Sequence, residues 1–356
     1  MGDDDVLERA HLEEWLTPRL PGAPAVRVVE LDRPSGGFSA ETLLLTVECE
    51  RDEGTTAERY VLRRETDDPA VYPQQASGLD VEVEIQYRVM AAVAEGGAGP
   101  IAPLIGYEPD ASVLGSPFFV MGFVEGEVPR ENPLYTQSGF FVDAAPEQRA
   151  QLVDDGLRLL ARLHELDWRA AGLDFLVDDG VTPGTARQLD VWEQYAIREL
   201  DGRVHPGLER ALPWLHANLP TDERLVLCWG DSRPGNIIWQ DFRGACLTDF
   251  EAASIASPDQ DLGWWLMFDR WSHESFGAER LPGEPDRDEQ RRRYAEYAGR
   301  PVPDTTFHEV FAAARYAAIV VRVMNRTVAR GLMPADQTIW LENPASTCLE
   351  QMLAEL

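Results

Sequence analysis

The hydrophobic pattern of the chain changes character near residue 125. Before that point, short apolar runs with alternating polar positions predict strands. These runs lie at 26–31, 42–47, 58–65 and 116–126. Apolar residues at helical spacing predict a short helix at 6–16 and a longer one at 79–95. We therefore expect the first part of the chain to be a sheet with accompanying helices.

After residue 125, apolar residues recur every three to four positions over long stretches, which is typical of helices packed on a common core. These stretches lie at 147–167, 189–199, 207–218, 288–298 and 307–329. The aromatic run at 264–271 is interpreted as another core helix. Segment 279–290 is rich in proline, glycine and acidic residues, and we interpret it as a loop able to cover a substrate.

The stretch from Leu225 to Trp265 carries the strongest functional signal. Two apolar runs flank the loop WGDSRPGN, and a third run ends on an aspartate after a Gly-containing turn. This pattern predicts short strands whose ends bring Asp231, Asn236 and Asp249 together. One carboxylate could accept a hydroxyl proton, while an amide oxygen and a second carboxylate hold Mg²⁺, as phosphoryl transfer requires. Taken singly, each residue is better explained as a cap of a turn, and only the combination of all three favours the functional interpretation.

Two further features of the first part of the chain fit a phosphate site. The loop Ser35-Gly36-Gly37-Phe38-Ser39 lies between two predicted strands, so its backbone N–H groups can approach phosphate oxygens. A plain hairpin explains the same glycines. Arg63 lies on the following strand, and its guanidinium offers a bidentate fork to phosphate. A surface charge on that strand is the alternative.

The motif GD-x-x-x-x-N followed by D-x-E, Pro258 and Asp261-Leu262 resembles the aminoglycoside phosphotransferase and choline-kinase group of small-molecule kinases. The resemblance is nearest to a bacterial branch that is similar to the kinase-like domain of certain acyl-CoA dehydrogenase family members. It implies an α+β, bilobal protein-kinase-like fold, with an N-terminal antiparallel sheet lobe and a mainly helical C-terminal lobe. Residues 1–124 would form the nucleotide-binding lobe, and residues 125–356 the catalytic and substrate-binding lobe.

The resemblance also implies a role for each site residue. Asp231 would be the catalytic base, and Asn236 and Asp249 would ligate Mg²⁺. Glu251 would either support the metal site from behind or act on the substrate side, and Arg233 would either counter phosphate charge or contact the substrate. Asp261 would be structural and bond the backbone of the catalytic loop. The remaining residues implied to bind ATP are Ser35, Gly36, Gly37, Ser39, Arg63, Gln86, Met121, Gly122 and Phe123.

Three departures from the family pattern leave a degraded kinase possible. Trp229 stands where the family usually has histidine, and no lysine is present anywhere, so Arg63 occupies the place of the phosphate-binding lysine. Gln86 stands where a glutamate usually orients that lysine. Three hypotheses therefore remain: an ATP-dependent kinase of a hydroxylated small molecule (amino-sugar, hydroxy acid or its thioester), a nucleotide-binding pseudokinase, and a hydrolase that uses Asp231 and Asp249 as paired carboxylates.

The composition limits partners and location. The net charge is −30, from 62 acidic residues and 32 basic residues that are all arginine, which disfavours nucleic-acid and anionic-membrane partners. Genome-wide bias or adaptation to high salt explains this charge, and steering of a cationic substrate into an acidic cleft is the alternative. The four widely spaced cysteines predict buried thiols, neither disulfides nor a zinc site. We expect a cytoplasmic protein, since no signal sequence or apolar span is evident. We expect it to be a monomer or a homodimer.

Overall fold

The computed structural model describes residues 3–34, 40–52, 54–221 and 223–356. The glycine-rich loop Ser35–Ser39, predicted to contact phosphate, lies outside the described residues. Within them, one antiparallel sheet dominates the N-terminal part, with strand order β1-β2-β3-β5-β4. Its strands are β1 (Val26–Asp32), β2 (Glu41–Arg51), β3 (Gly54–Arg64), β4 (Leu104–Glu108) and β5 (Phe118–Gly122).

Two helices cover the two faces of this sheet. Helix α1 (Asp3–Leu16) buries Leu12 and Leu16 against the face that carries the alternating side chains of β2. Helix α2 (Glu82–Glu95) buries Val83 and Val89 against the opposite face, together with Phe119 of β5. The alternation of side chains along each strand thus supplies apolar groups to both helices.

The rest of the chain is mainly helical and contains two small strand pairs. Strand β6 (Val226–Cys228) pairs with β9 (Ser254–Ala256), and β7 (Ile237–Gln240) pairs with β8 (Arg243–Leu247). The α+β kinase-like architecture expected from the sequence is confirmed. The helices are α3 (Phe140–Asp143), α4 (Pro146–Leu163), α5 (Thr185–Leu200), α6 (Pro206–Ala217), α7 (Pro258–Glu274), α8 (Arg287–Tyr297), α9 (Thr306–Ala329) and α10 (Pro344–Ala354).

The segment that follows β5 joins the sheet to the helical part and is fixed to the β7–β8 hairpin. Glu127 and Trp239 exchange two backbone hydrogen bonds, with N···O distances of 2.9 and 2.8 Å. Gly126 has a φ of +151°, and a Cβ there would lie 2.6 Å from the Trp239 carbonyl oxygen. Only glycine allows the connection to pass this close to the hairpin. The boundary at residue 124 between nucleotide-binding and catalytic lobes stays a prediction.

The interpretation of segment 279–290 as a loop over the substrate does not agree with its position. Arg280 pairs with Asp269 of α7, and the Pro282 carbonyl accepts a 3.0 Å hydrogen bond from Arg149 of α4. No residue of this segment lines the catalytic cavity described below. The four cysteines are buried free thiols, as expected. None of the helices in the described residues is long and apolar enough to cross a membrane.

Gly126→Ala should lower the free energy of unfolding by about 3 kcal/mol, because backbone strain and a contact with Trp239 act together. Gly54→Ala is the matched control, since Gly54 also has a positive φ (+123°) but a Cβ there meets nothing within 4 Å. We expect the control to lose only about 1 kcal/mol. Urea titration measures both values, and equal losses would contradict the proposed contact.

Candidate functional site

The loop that follows β6 is shaped by a glycine at a position closed to side chains. Gly230 has a φ of +90°, and a Cβ there would lie 2.0 Å from the Ala252 carbonyl oxygen. The preceding strand is buried on both sides, so the loop begins from a fixed point. This close approach brings the loop against the turn that follows Asp249, which explains how residues eighteen positions apart share one site.

A buried carboxylate holds the loop from behind. Asp261, in the first turn of α7, accepts hydrogen bonds from the backbone N–H groups of Trp229 (2.6 Å) and Gly230 (2.9 Å). His164 Nε2 lies 3.1 Å from the same carboxylate and serves as its third donor. Arg315 of α9 donates to the Gly230 carbonyl at 2.9 Å. The structural role predicted for Asp261 is confirmed.

Trp229 occupies the place of the family histidine as a packed scaffold residue. Its indole N–H donates to the Thr248 carbonyl at 2.7 Å, and its ring stacks on Phe250 with centroids 5.6 Å apart. The side chain is 1% exposed. Trp229 therefore ties the loop that carries Asp231 to the turn at Asp249 through its side chain. A histidine at this position would make a different contact.

Asp231 projects from this loop, lines the cavity described below and is only 5% exposed. Trp264 Nε1 and Arg233 Nε donate to its Oδ1 at 2.8 and 2.9 Å, and the Tyr72 hydroxyl donates to Oδ2 at 3.1 Å. Burial raises the pKa of Asp231 to about 6, and the nearby Asp249 adds to the rise, whereas hydrogen bonds from Asn236, Trp264 and Tyr72 oppose it. The carboxylate is thus ionised at neutral pH, yet basic enough to accept a proton.

Asn236 and Asp249 provide oxygen atoms beside Asp231. The Asn236 side-chain N–H donates to the Asp231 carbonyl at 2.9 Å, which leaves its amide oxygen as the atom suited to a cation. Asp249 is held at a φ of +55°, with its side chain 36% exposed at the cavity. An amide oxygen and a carboxylate are a donor set that fits Mg²⁺.

Arg63 bridges the two acidic residues of the D-x-E motif. Its NH2 lies 3.6 Å from Asp249 Oδ1 and 3.7 Å from Glu251 Oε2. Gln86 of α2 donates to Glu251 Oε2 at 2.8 Å. Burial raises the pKa of Glu251 well above its usual range, and Asp249 and Glu82 raise it further. Gln86 therefore connects α2 to Arg63 through Glu251, whereas kinases use a glutamate directly.

A single cavity of about 530 Å³ joins five of the residues predicted from the sequence. The predicted site residues that line it are Arg63, Asp231, Arg233, Asp249 and Glu251. Gln86 and Asn236 are buried behind them, at 1% and 3% exposure. The site thus contains cationic and anionic groups at one end of an enclosed space.

The segment Met121–Phe123, which the resemblance implies to bind the adenine of ATP, comprises the last two residues of β5 and the residue that follows. Its Gly122 N–H donates to the Pro103 carbonyl at 2.7 Å, and its Phe123 N–H donates to the Arg59 carbonyl at 3.0 Å. Two of its amide hydrogens are therefore already used within the sheet. Contact of this segment with adenine stays a prediction.

Several residues of the site were not identified from the sequence. Trp264 and Phe268 belong to the helix interpreted only as core, yet both line the cavity, and Trp264 bonds the catalytic aspartate. Tyr72 lies in a segment that gave no signal. Glu82 of α2 is also buried at 4% exposure, and it accepts a 3.2 Å hydrogen bond from Val71 N–H.

Similarity to known proteins agrees with this geometry. A family model described as the phosphotransferase enzyme family matches residues 30–301. The chain belongs to this family. Acyl-CoA dehydrogenase family member 11 from Gallus gallus is 29% identical over 273 residues, which are 74% of this chain and 31% of that protein. The chain spans about a quarter to a third of the length of the curated relatives that it matches.

Solved structures share the fold of this phosphotransferase. A crystal structure of a putative aminoglycoside phosphotransferase from Ralstonia eutropha aligns with a TM-score of 0.71 and 22% identity, over 97% of this chain and 98% of that one. The GDP complex of aminoglycoside 2'-phosphotransferase-IIIa aligns with a TM-score of 0.58 and 13% identity, over 98% and 99% of the two chains. These similarities establish the kinase-like fold.

Asp261→Asn should lower the free energy of unfolding by about 2–4 kcal/mol, because the amide can no longer accept all the buried donors around it. Asp259→Asn is the matched control, since Asp259 lies in the same turn of α7 and pairs with Arg300 while 21% exposed. The control should lose about 1 kcal/mol or less. Denaturant titration compares the two, and an Asp261 variant as stable as the control would contradict the anchoring role.

Proposed function

We propose that the protein is an ATP-dependent phosphotransferase that moves the γ-phosphoryl group to a hydroxyl of a small molecule. The observation that supports it most strongly is the convergence of Asp231, Arg63, Asp249 and Glu251 on one cavity. Phosphoryl transfer depends mainly on positioning and on charge neutralisation, and these residues supply both. The neighbour solved with GDP supports a nucleotide as donor.

Asp231 is proposed to accept the proton of the acceptor hydroxyl. As that oxygen bonds to the γ-phosphorus, the bond between the γ-phosphorus and the bridging oxygen breaks, and the nucleoside diphosphate keeps that electron pair. The proton later leaves Asp231 for water. Arg233 and Trp264 both donate hydrogen bonds to Oδ1 of Asp231. They hold the carboxylate so that Oδ2, which accepts a hydrogen bond from Tyr72, faces the cavity. Their donated hydrogen bonds fix one orientation of the base.

Asn236 and Asp249 are the residues proposed to hold Mg²⁺, which neutralises phosphate charge when bound. Arg63 is proposed to contact phosphate oxygens. Its position between Asp249 and Glu251 keeps the guanidinium at the phosphoryl end of the cavity rather than in solvent. Glu251, held by Gln86, would set the position of Arg63 without touching the substrate.

Two earlier hypotheses are less well supported. Membership in a phosphotransferase family argues against a paired-carboxylate hydrolase. A pseudokinase would have no need of a buried aspartate with a raised pKa beside oxygen ligands for a cation, so the Asp231 environment favours turnover.

Asp231→Asn should lower kcat by about 10²–10⁴-fold, because the amide cannot accept the hydroxyl proton. Thermal stabilisation by Mg-ATP should persist, since the nucleotide ligands remain. Coupled ADP release with any accepted alcohol measures the first effect, and melting curves measure the second. Asp241→Asn, an exposed change on the β7–β8 turn, should leave both unchanged. An Asp231 variant with normal turnover would remove this residue from its role.

The acceptor kcat/KM should fall about tenfold per pH unit below about pH 6, because burial raises the pKa of Asp231 to about 6 and only the ionised form accepts a proton. An unperturbed aspartate would place this limb near pH 4. Tyr72→Phe removes a donor that stabilises the carboxylate, so the limb should move to higher pH.

The control for this shift is Tyr135→Phe. Tyr135 is also a partly buried tyrosine, but its hydroxyl lies 3.4 Å from Ser272, outside the catalytic cavity. The pH profile of kcat/KM for the Tyr135→Phe variant should match that of the unchanged protein. A Tyr72 variant with an unshifted limb would show that the hydroxyl does not act on Asp231.

A further inference from the structure

The cavity has a second end whose chemistry differs from the phosphoryl end. One stripe of α9 lines it, formed by Tyr316, Ile319, Val320, Val323 and Met324. These positions follow the i, i+3, i+4, i+7, i+8 spacing of one helix face. We call this stripe, together with Val71 and Phe268, the apolar wall. It begins close to Asp231, because Trp264, which donates to Asp231, also contacts the ring of Tyr316, with centroids 6.2 Å apart.

The wall is held together by contacts within the protein. Arg322 of α9 donates twice to the Ala70 carbonyl, at 3.1 and 2.9 Å, and Arg326 lies 3.5 Å from Asp68. The Tyr195 hydroxyl donates to the Val71 carbonyl at 2.5 Å. These bonds fix the segment that carries Val71 and Tyr72 against α9. Arg322 and Arg326 thus hold the two sides of the wall together.

The cavity offers little for a cationic acceptor. Among the described residues that line it, the carboxylates are Asp231, Asp249, Glu251 and Glu131. The first three lie at the phosphoryl end, and Glu131 is paired with Arg233. An ammonium placed along the wall would lose its water without gaining a carboxylate, which is strongly unfavourable. Methylene or ring carbons placed there would be stabilised by burial.

We propose that the acceptor is an alcohol with an apolar body that carries no cationic group. Its hydroxyl would lie at Asp231 and its carbon body along Val320, Val323 and Met324 of the wall. This inference rests on the proposed function for the identity of the reacting hydroxyl. The wall would select a ligand with an apolar body whether or not the protein transfers a phosphoryl group. The substrate class therefore differs from an amino-sugar.

The test measures binding of two matched probe series by calorimetry, with and without a non-hydrolysable Mg-nucleotide. The first series is 1-butanol, 1-hexanol and 1-octanol, and the second is the ω-amino-1-alkanols of equal length. Alkanol binding should tighten about fourfold per added methylene. Each amino-alkanol should bind more than about tenfold more weakly than its partner alkanol. Affinity that does not depend on length, or amino-alkanols that bind as tightly, would overturn the proposal.

Val323→Asp introduces a carboxylate into the wall and should reverse the preference. Alkanol affinity should fall at least about tenfold and amino-alkanol affinity should rise, while stabilisation by Mg-ATP stays unchanged. Val328→Asp is the matched control on the same helix, since Val328 does not line the cavity. Should the Val323 variant fail to fold, the two series on the unchanged protein still decide.

Coupled ADP release separates this inference from the proposed function. Turnover of 1-octanol above that of 8-amino-1-octanol and of amino-sugars supports both. Turnover of amino-sugars without turnover of any alkanol overturns the apolar acceptor and leaves the kinase assignment intact. Failure to bind Mg-ATP removes the kinase assignment, whereas chain-length-dependent alkanol binding in that case still supports the apolar ligand.

Discussion

The geometry around Asp231 depends on one buried carboxylate. Asp261 is fully buried and accepts the backbone N–H groups of Trp229 and Gly230 at the start of the catalytic loop. A charge in this position is tolerated only because donors surround it. The loop direction, and with it the position of Asp231, therefore follows from where α7 begins. The Ser232 hydroxyl also donates to the Asp261 main-chain carbonyl at 2.8 Å. The residues on both sides of Asp231 are therefore bonded to the first turn of α7.

The phosphoryl end concentrates acids that repel one another. The pKa values of Asp231 and Glu251 are raised, in both cases chiefly because the groups are buried, and partly because Asp249 lies close. Arg63 offsets part of this repulsion from a single side chain, since its guanidinium reaches both Asp249 and Glu251. A lysine offers a point charge rather than a fork, which gives a physical reason why arginine serves here in a chain without lysine. The unfavourable charge density is what a bound cation would relieve.

The sequence predicted the parts of the site that are close together along the chain. Asp231, Asn236 and Asp249 are separated only by a loop and a hairpin, so their spacing carries the information. Tyr72 and Trp264 are different, because they reach Asp231 from segments 159 and 33 residues away. Hydrophobic periodicity identifies a buried face but cannot tell whether that face borders a core or a cavity. The same limit explains why the cavity face of α9 was interpreted as packing alone, although the helix itself was predicted correctly.

The net charge of −30 and the chemistry of the acceptor end are separate properties of this molecule. Surface acids are extensively matched by arginines, as in the Glu289 pairs with Arg292 and Arg293 on α8, and such pairs contribute little to stability. Steering of a cationic substrate would require carboxylates that continue into the cavity. There the only acid away from the phosphoryl end, among the described lining residues, is Glu131, which already pairs with Arg233. The acidic surface therefore does not by itself indicate a cationic acceptor.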